Sequence, residues 1–266
     1  MLIAQITDLH IKLPGHLAYR RVDTAALGRA AIAHLAALDP APDVVLVTGD
    51  LVDAGAPEEY AHLRELLGAI EAPLYIIPGN HDARDAMVRA FPDQPYWPDE
   101  GEFLHYVIDD HPLRLIALDT VVAGASHGEI CAARRDWLDQ RLAEEPERPT
   151  VIFMHHPPFA CGITGIDAIG LNGADELAAV VRAHPQVERV LCGHVHRPVQ
   201  ARWGGTVASV APSTAHQLSL DLRPDATATF IFEPPGYQLH HWRPDGPLVT
   251  HTVAVGDFGG PHAFYD

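Results

Sequence analysis

Basic side chains are scarce in this chain: 18 Lys and Arg stand against 35 Asp and Glu, a formal net charge of −17. Binding a polyanion requires Lys/Arg patches that displace counterions from phosphates, so a surface this acidic repels long nucleic acid. A small anionic substrate is still compatible, because bound divalent ions reverse the local sign of the potential. Cysteine is scarce too. Cys131, Cys161 and Cys192 are odd in number and lack paired spacing. They argue for reduced thiols and a cytoplasmic setting rather than a disulfide framework. No apolar stretch nears the roughly 20 residues that span a bilayer. The N-terminus runs from Met1 through Ile6 into Asp8 without a signal-segment pattern. The expectation is a soluble, cytoplasmic protein with neither a membrane nor polymeric nucleic acid as partner.

Apolar material is ample. With 47% hydrophobic residues over 266 positions, the chain can fill one large domain or a domain with a substantial extension. Brief, β-branched runs at Leu2–Ile6, Val44–Thr48, Leu74–Ile77, Arg114–Leu118, Val151–Met154 and Arg189–Leu191 predict buried strands. Between them, Thr24–Leu38, Pro57–Ile70, Arg134–Ala143 and Ala174–Ala183 predict helices. Pro57 suits a first helical turn, and Glu58 and Glu59 after it suit the positive end of the helix dipole. This alternation indicates an α/β domain, and two packed sheets flanked by helices suit the strand count. From about Thr206 the rhythm changes. Thr206–Val210, Thr227–Glu233, Tyr237–Trp242 and Val249–Val255 predict strands joined by Pro- and Gly-rich turns, with no helix between them. The expected organisation is a catalytic domain over residues 1–218 and a β-rich extension over 219–266. That extension is expected to cap the site, to join copies into a homo-oligomer, or both.

Histidine, at eighteen residues, is the compositional outlier. Most, such as His34, His62 and His184, sit in helical or loop contexts and read as surface residues. The exceptions cluster where apolar runs end: Asp8-Leu9-His10, Gly49-Asp50, Gly79-Asn80-His81-Asp82, His155-His156 and Gly193-His194-Val195-His196. Together these segments offer two carboxylates, an amide oxygen and several imidazoles, enough for two ions that share a bridging ligand. In an extended backbone residues i and i+2 face the same way, so Asp8 and His10, or His194 and His196, are expected to reach one ion together. Any one of these short motifs is mostly chance or a satisfied polar turn. Five of them, each following a strand, are specific.

In this order the segments clearly resemble the calcineurin-like metallophosphoesterase superfamily, over about residues 1–218. Within it, Ile6-Thr7-Asp8-Leu9-His10, Thr48-Gly49-Asp50-Leu51, Ile77-Pro78-Gly79-Asn80-His81-Asp82, Met154-His155-His156-Pro157-Pro158 and Cys192-Gly193-His194-Val195-His196 look most like the bacterial cyclic-nucleotide phosphodiesterase and glycerophosphodiesterase branch. The resemblance implies a four-layer α/β/β/α sandwich. It also implies that Asp8, His10 and His196 hold one ion, that Asn80, His155 and His194 hold the other, and that Asp50 bridges both. His156, Asp53 and Asp82 are expected to support these ligands rather than join them. His81 is expected to stabilise the transition state or protonate the leaving alkoxide, and His216 is a candidate for substrate contact.

Two divalent ions less the charges of Asp8 and Asp50 leave about +2 in the pocket, a field that attracts a phosphate ester and makes hydroxide available near neutral pH. The expected reaction is therefore in-line attack by hydroxide at phosphorus. Mixed N/O ligation suits Fe, Mn, Zn or Co without choosing among them. Superfamily protein phosphatases carry Arg directly before Gly-Asn-His to clamp a phosphate dianion; here that position is Pro78, which favours a small diester. A cyclic nucleotide such as cyclic AMP and a glycerophosphodiester both fit. The alternatives are a phosphomonoesterase and a metal-bearing interaction scaffold without catalysis. Phe159, Trp203 and Tyr237 could line a substrate pocket, or equally belong to core or interface.

Overall fold

The computed structural model describes residues 1–265. Its first half contains β1 (Leu2–Ile6), α1 (Thr24–Ala36), β2 (Val44–Thr48), α2 (Pro57–Leu67), β3 (Leu74–Ile77), α3 (Arg84–Ala90), β4 (Tyr106–Ile108), β5 (Arg114–Ala117) and β6 (Gly128–Glu129). There follow α4 (Ala132–Glu144), β7 (Thr150–Phe153), α5 (Thr164–Asp167), β8 (Leu171–Asn172), α6 (Ala174–Ala183), β9 (Val187–Cys192), β10 (Val199–Trp203) and β11 (Thr206–Val210). Four strands end the chain: β12 (Gln217–Leu218), β13 (Phe230–Ile231), β14 (Gly236–His241) and β15 (Val249–Ala254).

Two sheets organise these elements. The first has the order β15-β14-β1-β2-β3 and the second β10-β11-β9-β7-β5-β4. Strands β1, β2 and β3 run parallel, as do β5, β7, β9 and β11, while the flanking strands are antiparallel. Strands β2, β5 and β7 are buried along their whole length, as strands covered on both faces must be. Helix α2 packs on both α1 and α3, and α4 packs on α6. This is the expected four-layer α/β/β/α sandwich, and one apolar cluster draws on both sheets, from Ile3, Val45 and Ile76 to Ile116, Phe153 and Leu191. Polar ties cross between the layers as well: Gln5 Nε2 donates to Cys192 O at 2.9 Å, and the Tyr106 hydroxyl to Ile76 O at 2.7 Å.

Local chemistry explains the helix starts. Asp23 caps α1 by accepting from Ala26 N at 2.9 Å, and Pro57 opens α2 where its missing N–H leaves no helical bond unmade. The sequence missed α3, β4 and β10. Strand β4 has only three residues, and β10 carries Gln200 and Arg202 on its more exposed face, so neither forms an apolar run. The predicted strand at Thr227–Glu233 shrinks to Phe230–Ile231. His62 corrects a second expectation: it is buried rather than at the surface, with Nδ1 bonded to Lys12 O at 2.8 Å.

The division at residue 218 is also altered. Strand β14 pairs antiparallel with β1, Leu2 opposite His241 and Gln5 opposite Gln238, and β15 pairs with β14. Residues 236–254 therefore complete the first sheet, whereas β12 and β13 form a two-stranded sheet of their own, as β6 and β8 do. Hydrophobic spacing identifies strands but carries no information about partners more than 200 residues away.

Candidate metal centre

All five polar segments emerge at the carboxyl ends of parallel strands: β1, β2 and β3 in the first sheet, β7 and β9 in the second. Ligand sites of α/β sheets form at such ends. The backbone there is not extended. Asp8, His10, Asp50, His194 and His196 have φ of 52°, 46°, 49°, 72° and 51°. These values lie in the left-handed region, which costs a non-glycine residue on the order of 1–3 kcal/mol when the surroundings hold it there. Asp8 and His10 do converge with His196, as expected, but through tight left-handed turns rather than through strand alternation. The concentration of strain in five candidate ligands marks the site independently of their chemistry. Two glycines make room for it. A Cβ on Gly79 would overlap Asp50 Oδ1, and one on Gly193 would overlap Thr7 Oγ1 and press on Asp8 Oδ2.

Hydrogen bonds fix which ring nitrogen faces inward. His155 Nδ1 donates to Thr48 O at 2.8 Å and His196 Nδ1 to His216 O at 3.0 Å, leaving each Nε2 as a lone pair toward the centre. His194 is reversed: Nε2 donates to Ile169 O at 3.0 Å, which frees Nδ1. The inward atoms crowd one another. His10 Nε2 lies 3.0 Å from His196 Nε2 and 3.6 Å from Asp50 Oδ2, and Asp8 Oδ1 is 3.4 Å from His196 Nε2. His155 Nε2 is 3.4 Å from Asp50 Oδ2 and 3.2 Å from Asn80 Oδ1. Lone pairs opposed at such distances repel unless a cation lies between them. The donor set therefore fits metal ions, and borderline N/O ligation is what Fe, Mn, Zn and Co accept.

The electrostatics point the same way. Burial alone would raise the Asp50 pKa, yet His155 beside it, with His10 and His81, holds it well below the carboxylate range. Burial alone would lower His155, but the Asp50 carboxylate holds it up at about 9. Asp8 and His196 form a second such couple: burial opposes both charges, and each partner restores the other. Burial, reinforced by His155, pushes His194 down to about 3. Without ions, a proton on His155 takes the place of a cation.

The surrounding residues brace this centre. His156 is fully buried with both nitrogens engaged, Nδ1 with the Thr120 hydroxyl at 2.8 Å and Nε2 with Ser126 O at 3.2 Å. Asp82 accepts from Leu51 N, Gly79 N and the Tyr60 hydroxyl at 2.9–3.0 Å, which ties two of the polar loops together. Burial and then the Asp50 charge raise it to about 6. Asp53 pairs with Lys12 and sets Oδ1 3.5 Å from His10 Nδ1. His81 N donates to Asp50 Oδ1 at 2.8 Å and its Nδ1 to Asp53 O at 2.7 Å, so Nε2 is left for the cavity. His216 lies 4.7 Å, ring to ring, from His196, and burial, with the nearby imidazoles, lowers it to about 3.

A cavity of about 700 Å³ opens in front of these groups. Beyond His10, Asp50, Asn80, His81, His194 and His196, its lining includes Tyr19, Ile166, Ile169, Leu218, Phe230 and Phe232. None of these six was expected from sequence, since they come from distant segments and follow no motif. The ring of Tyr19 stacks on Phe230 at 5.2 Å, and Phe232 meets Phe230 edge-on at 5.8 Å. Of the aromatic residues considered above, Tyr237 is fully buried and meets His34, Trp203 ends β10, and Phe159 lines a smaller neighbouring cavity of about 310 Å³.

The family described as Calcineurin-like phosphoesterase matches residues 1–198. The chain belongs to the calcineurin-like phosphoesterase family. A family member from Arcobacter nitrofigilis, named probable glycerophosphodiester phosphodiesterase GpdQ, is 40% identical over all of this chain and 97% of its own length. The 3′,5′-cyclic adenosine monophosphate phosphodiesterase CpdA of Escherichia coli K12 is 31% identical over 96% of this chain and 90% of its own. In fold, the chain superposes on a dimetal phosphatase from Danio rerio with a TM-score of 0.64, at 15% identity, covering 96% of this chain and 99% of that one. The calcineurin-like relatives thus span nearly the whole chain, including β14 and β15.

Proposed function

We propose that this protein is a metal-dependent phosphodiesterase that hydrolyses small phosphodiesters. The observation that carries the reading is the convergence of nitrogen and oxygen atoms of His10, His196, His155, Asn80, Asp8 and Asp50 at 3.0–3.6 Å from one another. In this reading Asp8, His10 and His196 would hold one divalent ion and Asn80, His155 and His194 a second, with Asp50 available to both; Fe, Mn, Zn and Co all suit the set. The ions would supply a Lewis-acid field and hydroxide at neutral pH. The chain's own groups do the rest. His81, braced at Nδ1 by Asp53 O, holds Nε2 toward the cavity, where it steadies the phosphoryl oxygens or gives a proton to the departing alkoxide. His216 fixes His196 through its carbonyl and lays its ring beside the cavity's aromatic residues.

A diester is favoured over a monoester because the loop before Asn80 carries Pro78, and Arg21, at the exposed rim, is the one Lys or Arg lining the cavity among the described residues. The names of the relatives support both cyclic nucleotides and glycerophosphodiesters. Exposed Leu220, Leu222, Ile231 and Phe232 around β12 and β13 support a role for this segment in covering the site and in joining copies of the chain. Three free cysteines and the absence, among the described residues, of any helix long and apolar enough to cross a membrane are in keeping with a cytoplasmic setting.

The test is kinetic: cyclic AMP, glycerophosphoethanolamine and a phosphomonoester are compared at defined Mn²⁺ loading. The expected result is metal-dependent hydrolysis of at least one diester, with kcat/KM well above that of the monoester. A preference for the monoester would replace the reading with a phosphomonoesterase, and absence of any metal-dependent hydrolysis would favour a scaffold.

A further inference from the structure

Asn80 is the weakest donor in the candidate set: a neutral amide, and apart from Asp50 the only group of its proposed half-site that comes from the first sheet. Its loop is bound to that sheet many times over. Asp82 grips Leu51 N and Gly79 N, the Tyr60 hydroxyl receives Ala83 N at 2.9 Å, and His81 holds Asp50 and Asp53. Its tie to the second sheet, beyond Asn80 itself, runs through Arg84 at the start of α3. The Arg84 guanidinium meets Asp119 in a two-pronged pair, Nε to Oδ2 at 2.6 Å and Nη2 to Oδ1 at 2.8 Å, and adds Val121 O at 2.7 Å.

Asp119 is fully buried just beyond β5 and is itself fixed by Leu104 N at 3.0 Å and Val121 N at 2.9 Å. Arg134 donates to the same Val121 O and lies 3.9 Å over the Phe103 ring. The next residue, Thr120, holds His156, whose ring packs 4.5 Å from His194 and 4.9 Å from His155. One short stretch thus backs both imidazoles of the second half-site and receives the strap from the loop that carries Asn80. The first half-site is held by other bonds, with one backbone link to His194: Asp8 Oδ2 accepts from His194 N at 3.0 Å, Asp8 O accepts from Ser213 Oγ at 2.7 Å, and His196 Nδ1 donates to His216 O at 3.0 Å.

We infer that the Arg84–Asp119 pair is a positioning device that sets the distance from Asn80 to His155 and His194, and so governs binding of the second ion while leaving the first untouched. This rests on the two-ion reading above. A rigid fork suits the task, because a bidentate guanidinium–carboxylate pair fixes direction as well as distance, which an ammonium does not.

The test uses metal-free wild-type protein, Arg84→Lys, Arg84→Met and the double variant Arg84→Met/Asp119→Asn. The double variant removes the pair without leaving a buried carboxylate unpaired, and the single amide oxygen introduced at position 119 keeps an acceptor for one of Leu104 N and Val121 N, which bind different oxygens of Asp119. Calorimetric titration with Mn²⁺ gives the two affinities, and electron paramagnetic resonance separates an exchange-coupled ion pair from a lone ion. The expected result is a second-ion affinity at least tenfold weaker in both Met variants and intermediate in Arg84→Lys, a first-ion affinity within twofold of wild type, and a coupled signal that returns at high Mn²⁺. Variants with both wild-type affinities overturn the inference alone. A variant set that loses both ions together, whether by unfolding or by general loosening, overturns it too. A wild-type protein that takes up only one ion removes the two-ion reading and the inference with it.

Discussion

On the ion-facing side of the cavity, Asp8, His10, Asp50, His155, His194 and His196 are largely withdrawn from solvent, and hydrogen bonds fix which atom His155, His194 and His196 present. On the substrate-facing side, Tyr19 and Phe232 are 55% and 63% exposed and meet their neighbours ring against ring. The first side is over-determined, with left-handed backbone held in place by sheets on both flanks; the second rests on a hairpin outside both main sheets. Chemistry at phosphorus needs donors fixed to fractions of an ångström, whereas an apolar surface accepts ester groups of different shape. The contrast predicts that changes on the first side abolish turnover and that changes on the second redistribute it among substrates.

The largest effect belongs to Asp50. Asp50→Asn removes the carboxylate shared by both proposed half-sites, and kcat/KM should fall at least on the order of 10³-fold, with metal analysis showing fewer than two ions per chain. His81→Ala should lower kcat by roughly 10²–10⁴-fold while the bound metal is retained. If instead metal is lost and the remaining loaded fraction turns over normally, His81 belongs to the bracing and not to the reaction.

A smaller effect follows from His155. Its pKa in the ion-free protein is held up at about 9, above the ordinary value near 6.5, so at about pH 7.5 the ring carries a proton that an arriving ion must expel. Metal binding should release protons at this pH, read by calorimetry in buffers of different ionisation enthalpy. The apparent affinity should rise by up to about tenfold per pH unit for this proton, and this contribution should level off once the pH exceeds the His155 value. A titration in which no proton is released would contradict the donor role of His155.

The smallest effect lies on the aromatic side. Phe230→Ala should raise KM for aryl or nucleoside diesters by about 2- to 10-fold, the worth of one aromatic pair. It should leave kcat within about twofold and barely affect a glycerol diester. An equal change for both substrate types would mean that Phe230 supports the fold rather than the bound arm.

These two sides also differ in how they are written in the sequence. The ion-facing groups are legible because each follows a short apolar run and because carboxylate, amide and imidazole recur in one order from Asp8 to His196. The left-handed geometry of five of them was not legible, since Asp-x-His reads the same on a strand or a tight turn. Arg84 and Asp119 were missed because an arginine and an aspartate 35 positions apart carry no local signal until two sheets bring them together. The aromatic side was invisible for the same reason: Tyr19 sits in one turn, Ile166 in a four-residue helix, and Phe230 in a two-residue strand.

The pairing of β14 with β1 has a bearing on biosynthesis. Every proposed ion-binding residue, from Asp8 to His196, leaves the ribosome before Gly236–His241, the strand that closes the sheet beside Leu2–Ile6. Until it arrives, β1 presents an unpaired edge, the kind of surface on which nascent chains pair with one another. A chain interrupted after His196 but before Gly236 would carry the complete donor set on an open sheet, so its hazard is self-association rather than missing chemistry.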